Sequence, residues 1–450
     1  MIGPAGLLAL AAVAVSLALQ IATRQYDGRA LVLVSLGTVL ALIGALWQKR
    51  GGRPENPLLA QALLGAGCAA GLGCQLFTNP TYYGDPHSFQ GGFRGMALTA
   101  LVLISTYLVV RLRASLIRAR FPLLLGCFAL MAVMALRASP RPGIDVWEFQ
   151  QAAADVFLRG VNPYSVTYTD IYGPQASVVY PPELLRDGRV ISYPYPPLTV
   201  LAEAPAYAVL GDVRYALVAL TLGAAWLLAR AAPGNAGELA ALLILFQPRT
   251  LLVLENSWSE PIVLFCFALT VYAIARGAHW ALSGAALGLL AASKQYSAYL
   301  VVPLALALPL RRTLLVAAGV LIGLLAPFAI ADPAGFWHGV VEFHFRMPFR
   351  TDSLSLAALG FRIFGTAVQP LAPAGPLLGA GLLAFFARRN LPLSVACAAA
   401  AAAWSVVLIW NQQSFCNYWW LCSGLLAAAA AAIFHPEDAV NRLAPTGGAG

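Results

Sequence analysis

Residues 121–164 read FPLLLGCFALMAVMALRASPRPGIDVWEFQQAAADVFLRGVNPY, and the fold turns on how this stretch divides. Its first part, 121–138, is an apolar run with the character of a membrane span. The remainder opens the longest polar interval in the chain, Ser139 to Pro197, which closes on ISYPYPP. Connections between helices are mostly short. A loop this long in an apolar chain is expected to hold the chemistry, with Asp145 at its centre. Asp145, Glu148, Asp155 and Arg159 recur at helical spacing on one face, and Val146, Phe149, Val156 and Phe157 on the other. Gly160 and Asn162-Pro163 end that helix. It is expected to lie flat on a membrane surface, apolar side down. Asp145 with Glu148 three residues later is also a capping-box pattern, which gives both carboxylates a purely local alternative use.

Composition supports this division. Hydrophobic residues make up 60% of the chain and charged residues 10%, against about a quarter charged in soluble domains. Long apolar runs favour helices over a β-barrel. The net charge of +9 sits in short loops between apolar runs, where it sets orientation and does not imply nucleic-acid binding. The seven cysteines form no CxxC pair, and the histidines show no HExxH spacing. The N-terminus lacks a basic leader and reads as a retained first span.

Apolar runs fall at about 4–22, 31–47, 57–78, 95–111, 121–138, 196–210, 213–231, 238–254, 257–275, 280–293, 296–310, 313–331, 371–387, 391–410 and 418–434. Lys49, Arg50 and Arg53 mark one cytoplasmic loop; Arg111, Arg113, Arg118 and Arg120 mark a second. Arg276, Arg311-Arg312 and Arg388-Arg389 mark others. An odd number of runs separates Arg120 from Arg276, so one of them must fail to cross. The better candidate is 238–254, interrupted by Gln247-Pro248-Arg249; the second is 196–210, short and carrying Glu203 and Pro205. With this count, the Asp145 loop, residues 256–260, Lys294 and the second long loop, 332–352, all meet one external surface. Lys294 has a plain alternative as a helix-end residue snorkelling to the interface. The loop 332–352 interleaves His338, Glu342, His344, Arg346 and Arg350 with Phe and Trp. It reads either as an interfacial aromatic belt or as a basic wall for a phosphorylated lipid.

The expected fold is therefore an all-α polytopic membrane protein of about 14 transmembrane helices with two long external loops. A carboxylate at a helix start, cations facing it and aromatic rings between them suit general-base chemistry on a sugar that carries a phosphate leaving group.

Several motifs sharpen this into a resemblance. Asp145 opens a helix that closes on Gly160-Val161-Asn162-Pro163-Tyr164. Tyr193-Pro194-Tyr195-Pro196-Pro197 enters the next span. Lys294 follows GAALGLLAAS, and Ser353 and Arg362 follow the second loop. Over about 121–365 the chain resembles the GT-C membrane glycosyltransferases, closest to the polyprenyl-phosphate-mannose-dependent enzymes of glycosyltransferase family 87. The resemblance implies a catalytic core over 121–365 with external loops 139–195 and 332–352. Around it lie an N-terminal extension of four spans (1–120), C-terminal spans (366–434) and a disordered cytoplasmic tail (435–450). It implies a bacterial plasma membrane location with the site facing outward. A hexose, mannose by the family, would pass from a polyprenyl-phosphate sugar donor to a glycan or glycolipid acceptor. Membrane lipid is a partner and nucleic acid is not. Asp145 would be the base, with inversion at the anomeric carbon. Lys294, Arg346 and Arg350 would neutralise the departing phosphate. Trp147, Tyr164, Tyr193 and Tyr195 would shape the acceptor cleft, and Asn256 and Glu260 would border the donor. Glu148, His344, Ser353 and Arg362 complete the expected substrate-binding set. Related enzymes carry D-x-D or D-E pairs where this chain has Trp147 and Glu148. A divalent metal is therefore left open and no cofactor is assigned.

Two other classes fit parts of the pattern. A secondary transporter calls for inverted repeats and ionisable groups at the bilayer midplane; no such repeat is visible. An O-antigen-type polymerase or ligase also acts on lipid-linked glycan, but through Arg-rich loops, whereas this loop is led by acids and Tyr-Pro turns.

Overall fold

A computed structural model describes residues 2–22, 25–51, 56–108, 113–173, 179–366 and 373–435. Arg53, Arg111 and the tail from 436 onward lie outside the described residues. The helices are α1 (Pro4–Ile21), α2 (Gly28–Lys49), α3 (Pro57–Phe77), α4 (Gly92–Ser105), α5 (Ala114–Ala138), α6 (Asp145–Leu158), α7 (Pro197–Leu210), α8 (Arg214–Ala231), α9 (Asn235–Phe246) and α10 (Thr250–Glu255). There follow α11 (Glu260–Ala275), α12 (Trp280–Ser293), α13 (Ala298–Ala305), α14 (Leu310–Ala331), α15 (Pro333–Trp337), α16 (Phe343–Arg346), α17 (Leu356–Phe364), α18 (Ala374–Phe386), α19 (Leu393–Trp410) and α20 (Cys416–Ala432). Among the described residues, eight helical segments are long and apolar enough to cross a membrane, and five apolar helices are shorter. The chain is a helical membrane protein.

The core is made of α1, α9, α19 and α20, whose Ala-rich faces let backbones approach closely. At the opposite extreme, α14 buries only Thr313 and Ala317. It is held by α12, where a Cβ at Gly284 or Gly288 would meet backbone oxygens of Thr313 or Ala317 at 2.8 and 2.7 Å.

The run 238–254 breaks as its proline requires. Helix α9 stops at Phe246, Gln247-Pro248-Arg249 is non-helical, and α10 adds six residues. Bare backbone inside a membrane protein needs internal partners. Gln75 Nε2 donates to Gln247 O at 3.3 Å, and Thr250 Oγ1 donates to Ile244 O at 2.7 Å while receiving Trp420 Nε1 at 2.9 Å.

The loop 139–195 is more structured than expected. Besides α6 it holds a three-stranded antiparallel sheet of two-residue strands, β1 (Tyr168–Thr169), β2 (Leu185–Arg186) and β3 (Arg189–Val190), in the order β1-β3-β2. The all-α expectation needs that addition. Helix α6 is not laid on lipid alone. It packs on α7, where Ala153 clusters with Val200 and Ala154 with Ala204 and Val213. The loop 332–352 is helical from Pro333 to Arg346, α15 and α16 being joined by a π-helical turn over His338–Glu342.

Gly71 tests the break. A Cβ there would lie 1.9 Å from Phe246 O, whereas one at Gly73 meets nothing within 4 Å. Gly71→Ala is expected to destabilise by about 1–3 kcal/mol, and Gly73→Ala to be neutral or stabilising by up to ~1 kcal/mol. Thermal unfolding of the two variants in the same detergent checks the contrast.

Candidate active site

A cavity of about 710 Å³ opens where the two long loops meet the helix ends. Asp145, Tyr195, Lys294, His344, Arg350 and Arg362 all line it. The rest of the expected set lies outside its lining.

Asp145 is the first residue of α6, after the turn Pro142-Gly143. The N-cap is Ile144, extended and without a side-chain cap, so the capping-box reading does not hold. The carboxylate instead accepts from Val146 N at 2.9 Å, from Tyr172 Oη at 3.1 Å and, very closely, from Tyr180 Oη. Burial raises its pKa above the ordinary carboxylate value, against the pull of Tyr180, Tyr172, the Val146 amide and the charge of Arg350. Both tyrosines were missed in the sequence. A signal existed: Tyr180-Pro181-Pro182 repeats the Tyr195-Pro196-Pro197 motif.

Lys294 ends α12 in extended conformation and turns inward, so it does not snorkel. Nζ donates to Ser259 Oγ at 2.5 Å, pairs with Glu260 at 3.3 Å and lies 4.9 Å from the Tyr195 ring centre. Glu260 therefore acts on the cavity through Lys294, and it also accepts from Tyr296 Oη at 3.1 Å. Asn256 is fully buried and donates to Leu252 O at 2.8 Å.

Two glycines of the second loop press it onto the first. A Cβ at Gly335 would meet Tyr164 O at 2.2 Å, and one at Gly339 would meet Tyr193 O at 2.1 Å. Ser192 Oγ donates to Gly335 O at 2.7 Å. Tyr164 and Tyr193 are buried behind the cavity in an aromatic cluster with Phe149, Tyr168 and Tyr180. Tyr164 Oη donates to Tyr195 O at 2.5 Å. They support Tyr195 from below. Trp147 has its ring 5.8 Å from the Arg214 guanidinium, and Glu148 is half-buried on α6.

The basic wall is smaller than expected. Arg346 is bonded to Glu342, which also holds His338, and is not among the residues lining the cavity. Arg350 pairs with Asp352 at 2.8 Å and lies over Phe415 at 5.1 Å. Arg362 lies over Tyr26 at 4.3 Å. Ser353 is buried and accepts from Ser414 N at 2.6 Å, tying the loop to the start of α20. His344 Nε2 meets Pro194 O at 2.9 Å; a carbonyl only accepts, so the proton is on Nε2. Burial lowers its pKa to about 4, so His344 is neutral near pH 7 and adds no positive charge.

Among the described residues there is no group of three or more His, Cys, Asp or Glu placed to hold a metal ion. The Asp145 oxygens are taken by hydroxyl donors and Asp352 by Arg350, a donor set that does not fit a divalent cation.

Comparison with known proteins gives no match to any family model, curated protein or solved structure.

His344 supplies a pH test. Its folded pKa is depressed, so the stability it confers is complete above its ordinary value of 6.5 and is lost as pH falls from there towards about 4. Histidine-selective NMR is expected to show one Nε2–H imidazole still neutral at pH 5. Unfolding midpoints measured from pH 7 to 4 should fall less steeply in His344→Gln than in the wild type.

Proposed function

We propose that the chain is a membrane glycosyltransferase of the GT-C kind, moving a hexose from a polyprenyl-phosphate donor to an acceptor hydroxyl. The observation that carries this reading is that Asp145, Lys294 and Arg350, from three separated parts of the chain, line one cavity. In this reading the shorter apolar helices complete a bundle of about 14 spans, the run broken at Gln247-Pro248 fails to cross, and the cavity faces outward.

The chemistry follows from the groups. The acceptor hydroxyl gives its proton to Asp145 as its oxygen attacks the anomeric carbon. The bond from that carbon to the phosphate oxygen breaks with inversion, and the electron pair leaves on the phosphate. Lys294 and Arg350 receive the charge, with fixed positions that need no reorganisation. A desolvated carboxylate with a raised pKa is a stronger base than an exposed one. Tyr172 and Tyr180 aim it. Binding of the sugar's apolar faces falls to Tyr195 and its aromatic neighbours.

A transporter remains the second reading because of one group. Glu203 is fully buried on α7 with no hydrogen-bond partner for either carboxylate oxygen, and such residues in membranes often mark ion paths. Substrate counterflow in proteoliposomes, without transfer, would favour it.

Asp145→Asn is expected to reduce transfer from a radiolabelled polyprenyl-phosphate hexose by about 10²–10⁴-fold; normal turnover would remove Asp145 from the mechanism. The active form of Asp145 is the anion, so transfer should decline as pH falls through its raised pKa. Tyr180→Phe removes a donor that stabilises the anion, so the acid limb of the pH–rate profile should move to higher pH; a shift to lower pH rejects the assignment. The double variant Lys294→Met/Glu260→Gln removes a buried pair without stranding a charge. It is expected to raise donor KM by about 10–100-fold, more than it raises acceptor KM.

A further inference from the structure

The cavity wall carries two sets of side chains of different chemistry. One set is charged and comes from the long loops, Lys294 and Arg362 of α17. The other comes from the two ends of the chain: Gln25, Tyr26 and Tyr82 from the N-terminal segment, and Gln413, Asn417 and Tyr418 around the start of α20. This second set is aromatic rings and primary amides. The two sets meet where Arg362 covers Tyr26 and Arg350 covers Phe415.

The second set is held in place. Glu255 accepts from Tyr82 N at 2.6 Å and from Tyr83 N at 2.8 Å, fixing that turn while the Tyr82 residue stays 55% exposed. Arg249 reaches Leu19 O, Gln20 O and Asn79 O, each at 3.3 Å, and so anchors the end of α1 just before Gln25 and Tyr26. Gln413 Nε2 donates to Pro348 O at 3.1 Å. Asn417 is 5% exposed and faces the cavity.

We propose that this uncharged set is the seat of a neutral saccharide ring of the acceptor, and that the N-terminal helices thereby select the acceptor. The proposal deepens the glycosyltransferase reading and rests on it for the word acceptor. Amides both donate and accept, which matches a ring of hydroxyls. Tyrosine rings offer flat apolar faces for the C–H face of a sugar, with a polar edge. The set itself carries no cation, and Arg362 meets it only by stacking on Tyr26 at its edge, which leaves the donor's phosphate to Lys294 and Arg350. The volume lies within the ~300–1,000 Å³ of sites that enclose a whole ligand.

The test uses the full-length protein in lipid nanodiscs without donor. Saturation-transfer NMR is run with methyl α-mannoside, methyl β-glucoside and α-1,2-mannobiose, and binding of undecaprenyl phosphate is measured in parallel. At least one sugar is expected to bind saturably. Tyr26→Ala and Asn417→Ala should each weaken it at least fivefold while weakening polyprenyl phosphate less than twofold, a retained signal that also reports folding. Saturable binding of none of the three sugars overturns the proposal. So does a sugar signal that survives in both variants, or equal loss of both ligands. If the sugar behaves as expected but the wild type transfers from no polyprenyl-phosphate hexose, the saccharide seat stands and the glycosyltransferase reading falls.

Discussion

Arg249 and Glu255 stand at the two ends of one short helix, α10, buried and of opposite sign. Placing a charge in such surroundings costs several kcal/mol unless hydrogen bonds replace its water. Here backbone does so. Arg249 takes carbonyls from the end of α1 and from the turn after α3, and Glu255 takes two amides from that same turn. Arg214 then joins Glu255 O at 3.4 Å to Ser139 O at 2.8 Å, at the end of α5 where the long loop begins. The break at Pro248 is thus what seats the N-terminal helices against the loop of Asp145. Through it, Tyr26 and Tyr82 come to line one cavity with Asp145 and Lys294.

Much of this was legible because membrane burial leaves a coarse mark. Apolar runs mark the apolar helices, proline marks the break within 238–254, and spacing marks the helix that opens at Asp145. What was not legible depends on close packing. Gly335 and Gly339 look like ordinary loop glycines until their Cβ positions are seen to be filled by the carbonyls of Tyr164 and Tyr193. The two-residue strands carry too short a pattern to register against their surroundings. Arg346 and Arg350 are equivalent in the sequence, four residues apart. Only the structure shows that Arg346 faces Glu342 and Arg350 faces the cavity. Gln25, Tyr26 and residues 413–418 are silent because nothing in their composition announces a shared wall.

The charged groups of the cavity are arranged by the kind of partner each has. Glu260 and Asp352 are bonded to cations, Lys294 and Arg350, and stay beside them. Asp145 is bonded to hydroxyls and an amide, with Arg350 acting on it only at a distance. Hydroxyl donors can turn aside or follow when a carboxylate takes a proton, whereas a fixed cation opposes protonation at every step. Of the two acids that line the cavity, Asp145 and Asp352, Asp145 is therefore the one whose surroundings favour accepting a proton. That distinction comes from the partners and not from the residue type. It is why, in the proposed reaction, the proton is assigned to an aspartate that opens a helix and in isolation reads as a cap.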